Sequence, residues 1–365
     1  MIKLVKTIRS LESTINGNLF FSKRNELLSW SDEGTICLYA LEDGRQKLIK
    51  QHHTPVTQVF VWKEQFIVST AYDGQINVWD RKTFSNYKLL ENVNRSFLGA
   101  QAWDEQRIIA WDAEGDISIW EVENEQGISI LEQAVMDYYR NSLQPPFLLW
   151  QKYDWLVSWG SIELDFWNYL SGAVKISLWE ENFNIEGACL LNEDELLSWG
   201  TALRIWSPKG VLKRELKGNK KPIRFALVLE KETIIAWDNQ HRIYVWTNFL
   251  LTLCFEQHKS LLLHVWPIND ELLLSKSIDG QHIIWDKKTG EIKNSLQGFS
   301  NEGCLLNTSF YLSYQANSIM IWNLKTGEDF ILENAHDTNI QELLPLDQNR
   351  FLSCAKDAER KIWEC

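Results

Sequence analysis

The 365-residue chain is 45% hydrophobic and 24% charged, a globular balance that excludes intrinsic disorder and allows a large buried core. Its formal charge of -12 disfavours an overall attraction to nucleic acid or anionic lipid. No stretch of 18 apolar residues and no signal-peptide pattern is present, so a cytoplasmic protein is expected.

From the start, the segment "IKLVKTI" reads as a strand, and a thirteen-residue phrase then follows it, "LLSWSDEGTICLY" (Leu27 to Tyr39). The phrase returns with variations throughout the chain. Its closing aromatics are Tyr39, Trp79, Trp120, Trp167, Trp206, Trp246, Trp285, Trp322 and Trp363, at intervals of 40, 41, 47, 39, 40, 39, 37 and 41 residues. The second copy shows the plan of a unit. An apolar run "VTQVFVW" (Val56 to Trp62) is followed by a polar turn, the run "FIVSTA", a "YDG" turn, the run "QINVW" and a weaker fourth run, "YKLL". Runs this short, bounded by turns, are strands. Four strands per period of about 41 residues make one antiparallel sheet, and a sheet of that size is buried only by packing against its neighbours.

The third and fourth copies are separated by the longest interval, which contains "MDYYRNSLQPPF" (Met136 to Phe147). Tyr138, Tyr139 and Arg140 are residue types that anchor interfaces, and they form the first candidate partner site. After the fifth copy comes "KGVLKRELKGNKKPIR" (Lys209 to Arg224), a basic run on an acidic molecule. It reads as a solvated outer strand or as a docking patch centred on Lys217, Lys220 and Lys221. The six Cys residues have no metal-ligand spacing and read as buried thiols. Of the 19 Trp, eight close repeats and five (Trp30, Trp111, Trp159, Trp199, Trp237) stand on second strands. These five read as packing between sheets or as an aromatic ring at a channel mouth. No P-loop, GxSxG, HExxH or dinucleotide motif is present, and turn carboxylates such as Asp32, Glu33, Asp112, Glu114 and Asp238 are ordinary in turns.

The copies "LLSWSDEGTICLYAL", "IVSTAYDGQINVWD" and "LLSKSIDGQHIIWD" resemble the "LxSxSxDGxIxxWD" signature of WD40 repeats over essentially the whole chain. The resemblance implies an all-β fold, a single-ring β-propeller of four-stranded antiparallel blades, with nine blades expected and eight as the alternative. Residues 1–365 then form one domain, whose N-terminal strand (about residues 2–8) completes the last blade. It also implies hydrogen-bonded tetrads of His53, Ser69 or Thr70, Asp73 and Trp79; of His258, Ser275 or Ser277, Asp279 and Trp285; and of His336, Ser353, Asp357 and Trp363. The other copies lack the His and are expected to rely more on packing. The implied function is a non-enzymatic scaffold, monomeric by itself and without cofactor or metal, presenting the loops of one face and the channel mouth to a protein or peptide. The alternative is a propeller hydrolase or lyase with its active site in the central channel.

Overall fold

The structure, a computed structural model, describes residues 2–9, 14–50, 52–92, 95–131, 147–160, 162–168, 170–179, 184–229, 233–299 and 303–365. Among these residues the chain forms nine four-stranded antiparallel sheets, each strand hydrogen-bonded to the next. They are the blades of a β-propeller. Blades 1 to 8 occupy residues 17–50, 56–91, 97–131, 147–179, 185–216, 223–255, 262–297 and 303–332. Blade 9 takes three strands from residues 340–364, and strand Lys3–Arg9 is its fourth, pairing antiparallel with Glu359–Glu364 so that Leu4 faces Trp363.

Two compact units divide the chain. One holds residues 15–216 and blades 1 to 5; the other holds residues 217–365 with the first fourteen and blades 6 to 9. Within each unit the core lies between consecutive blades. Strand alternation explains this, because a middle strand turns alternate residues to opposite faces and both faces meet a neighbouring sheet. Ile76 and Val78 of blade 2 thus pack on Ile108 and Trp120 of blade 3, while Trp79 turns the other way onto Leu28 and Ile36 of blade 1.

Four of the five second-strand tryptophans are interior, and Trp30 is half-buried. Trp111, Trp159, Trp199 and Trp237 are 1 to 8% exposed, so they do not form an open aromatic ring. Three of the five stand directly opposite a glycine of the first strand: Gly17 faces Trp30, Gly99 faces Trp111 and Gly187 faces Trp199. A methyl group on Gly99 would lie 2.3 Å from the Trp111 ring and 2.4 Å from Gln58 Oε1. Gly99→Ala is therefore expected to destabilise the protein by ~1–3 kcal/mol through overpacking. Gly127→Ala is the control, since its methyl would meet Trp120 at an ordinary 3.9 Å. Thermal unfolding of the two variants checks this, and equal melting temperatures would refute the packing argument.

The tryptophans that end first strands cross between blades. The Trp62 indole N–H donates to the Asp104 carbonyl of blade 3 at 2.8 Å, and Trp150 donates to the Glu193 carbonyl of blade 5 at 2.9 Å. Among the described residues, no helix is long and apolar enough to cross a membrane.

Candidate functional site

The buried polar groups are arranged first by what each blade needs. In blade 2 the histidine of the network is His52, and the expected His53 is corrected. His52 is 1% exposed, its Nδ1–H donates to Asp73 at 3.1 Å, and its Nε2 accepts from the Ser69 hydroxyl at 2.8 Å. Trp79 donates to the same hydroxyl at 3.0 Å. One residue further along, the His53 side chain is turned away and only its backbone N–H reaches Asp73. The sequence held the signal, because His52, His258 and His336 each stand 17 residues before the serine they bond.

In blade 7, His258 contacts Ser275 at 2.6 Å and Ser277 at 3.1 Å, and Trp285 donates to Ser275. Asp279 reaches this group only through the Ser277 hydroxyl, at 2.5 Å. Burial holds His258 well below its ordinary value, at about 4. In blade 9, His336 bonds Ser353, which also accepts from Trp363. The carboxylate partner is Glu359, at 3.1 Å, in place of the expected Asp357. Asp357 is spent on its own turn, where it accepts the Glu359 N–H, while Glu359 on the third strand faces the ring.

Two of the blades without the histidine carry a buried carboxylate pin in addition to their packing. In blades 3 and 6 an aspartate directly after the second-strand tryptophan is buried, Asp112 at 3% and Asp238 at 0% exposed. Asp112 takes the Arg95 guanidinium, which also bonds Asp116. Asp238 Oδ1 accepts the backbone N–H groups of Gln240, His241 and Arg242, and its Oδ2 accepts from the Tyr244 hydroxyl at 3.1 Å. These two carboxylates, read from sequence as ordinary turn residues, close their blades.

Of the two candidate partner sites, Tyr138, Tyr139 and Arg140 lie outside the described residues. In the basic run, Lys217, Lys220 and Lys221 are exposed. Lys220 is 3.1 Å from Glu256, which also binds Arg242, and Lys213 is 2.8 Å from Glu195. Part of the positive charge is therefore neutralised locally. Among the thiols, Cys254 is exposed, whereas burial pushes Cys189 and Cys304 up to about 12.

Two features bear on chemistry. Burial raises both Glu163 and Asp165, on the third strand of blade 4, and the Asp165 charge raises Glu163 further. Asp165 is 9% exposed inside the sheet, and its Oδ1 has no hydrogen-bond partner among the described residues. Between blades 6 and 7 lies a cleft of about 840 Å³. Its apolar lining includes Leu229, Val245, Leu253 and Ile268; its polar lining includes Thr233, Thr252, Asp270, Glu271, Lys287 and Lys288. The sequence reasoning missed this cleft, because its lining is scattered across two repeats.

Nine four-stranded blades, three of them pinned by His–Ser–Trp networks with an acidic residue, define a WD40-type β-propeller. No protein-family model matches the chain. Among curated proteins, WD repeat-containing protein 41 of Homo sapiens is 22% identical over 224 residues, 55% of this chain and 45% of that protein. The chain thus spans about half the length of the curated relative it matches. Among solved structures, the computationally designed Ika8 protein is similar with a TM-score of 0.57 and 18% identity, covering 98% of each chain. That likeness concerns the fold alone.

Proposed function

We propose that the chain is a non-enzymatic scaffold that binds a protein partner, with the cleft between blades 6 and 7 as the seat of an extended peptide segment. The observation that carries this reading is the composition of the cleft. An apolar floor lined by Leu229, Val245 and Leu253 is bordered by threonines and by both signs of charge, the mixture that gives a peptide apolar contact and orientation together. The similarity to a WD repeat-containing protein supports an interaction role in general terms. His52, His258 and His336 support it too, because their ring nitrogens are engaged with serines and carboxylates of their own blades.

Affinity purification of the full chain with crosslinking mass spectrometry tests the reading, with crosslinks expected from Lys287 and Lys288. A Thr252→Arg, Lys288→Glu variant, altered only at exposed positions, is expected to lose ~30-fold or more in affinity for the partner so identified, the scale of a central contact. Crosslinks confined to residues 136–147 or to Lys217, Lys220 and Lys221, with unchanged binding by the variant, would move the site to one of those segments.

A further inference from the structure

Blade 8 has the serine and the tryptophan of a pinned blade but no histidine of its own. Ser313 and Trp322 occupy the places that Ser275 and Trp285 hold in blade 7, yet among the described residues neither Ser313 Oγ nor Trp322 Nε1 has a hydrogen-bond partner. Two more buried polar atoms without a partner among the described residues occur beside them: Nε2 of His282, on the third strand of blade 7, and the hydroxyl of Tyr311, on the second strand of blade 8. All four residues have their rings or hydroxyls in one seam. The His282 ring lies 5.0 Å from Tyr311 and 6.0 Å from Trp322, and the register puts Tyr311 opposite Trp322 and Ser313 opposite Met320, so both face the same side.

The hydrogen-bonding capacities of these atoms are complementary. His282 Nδ1 is 2.8 Å from the Gly280 carbonyl, which only accepts, so Nδ1 carries the proton and Nε2 presents a lone pair. Burial and the adjacent charge of Lys276 keep the ring neutral. Trp322 can only donate, and the two hydroxyls can do either. A water molecule, with two donors and two acceptors, satisfies such a set, and buried waters typically make about three hydrogen bonds.

Paired replacements bring the Tyr311 hydroxyl into this seam. Where Val59, Val265 and Leu343 face the serines of the three pinned blades, Gly303 faces Ser313. Where those blades have Ile67, Leu273 and Phe351, blade 8 has Tyr311, and a methyl on Gly303 would lie 2.2 Å from its hydroxyl. We propose that the seam between blades 7 and 8 is a binding site for a buried water that links His282 to Ser313, Tyr311 and Trp322, the preceding blade supplying the histidine its neighbour lacks.

A double-mutant cycle in the full chain tests this. Ser313→Ala and His282→Leu should each lower the melting temperature, and the double variant should fall by less than the sum of the two shifts. Should His282→Leu not fold, His282→Gln, which keeps an acceptor, is expected to retain most of the coupling. A direct bond would also couple the pair, so a crystal structure at a resolution that places waters is the deciding companion. Density within hydrogen-bond distance of both His282 Nε2 and Ser313 Oγ is expected. Additive shifts, or a direct His282–Ser313 contact in that density, would overturn the proposal.

Discussion

Replacing Asp238 by alanine is expected to lower stability by ~3 kcal/mol or more, read from the urea midpoint at unchanged slope. Its side chain is fully buried, and removing it strands three backbone N–H groups and the Tyr244 hydroxyl proton at one site, while Arg242 keeps Glu256 and Gln240. Breaking a buried network from one side is costly because the remaining partners lose their desolvated contacts without regaining water. Asp279→Ala should cost less, ~1 kcal/mol, since that exposed carboxylate engages chiefly the Ser277 hydroxyl and one backbone N–H. The order inverts what the repeat signature suggests, because Asp279 belongs to a recognisable tetrad and Asp238 does not. Equal losses would show that Asp238 is not the pin of blade 6.

Mild acid should destabilise the protein, and the two most buried histidine rings of blade 7 should contribute most. His258 and His282 are held at about 4, each chiefly by burial, the second also by the Lys276 charge. Their folded values lie below the ordinary 6.5, so the unfolded chain binds more protons between these limits and stability rises with pH there. The full contribution is present above about pH 6.5 and is lost as the pH falls towards 4, with about 3 kcal/mol per ring as the upper bound. Asp73 acts in the same direction at lower pH. Burial raises it, but hydrogen bonds from His52 and from backbone N–H groups outweigh that and leave it below the usual carboxylate range. Urea unfolding between pH 7 and 4.5 measures the slope, and His282→Phe should flatten it. A stability independent of pH over that range would contradict the neutral, buried state of both rings.

The architecture was legible in the chain because it rests on periodicities that any one repeat displays. Alternation every second residue makes the strands, the closing aromatics from Tyr39 to Trp363 count nine blades, and the likeness of "IKLVKTI" to fourth-strand segments anticipates its pairing with Glu359–Glu364. Partner choice was not legible to the same degree, because a shift of one or two residues along a strand or turn changes which face a side chain takes. His52 and His53 are adjacent in sequence and opposite in role, and Glu359 displaces Asp357 for that reason. The pairing of Gly99 with Trp111 depends on cross-strand register, and the burial of Asp238 on the turn that folds back over it. The cleft between blades 6 and 7 and the polar seam between blades 7 and 8 join residues from different repeats. Repeat spacing specifies each sheet, whereas the chemistry between sheets comes from side chains that meet only when neighbouring blades pack.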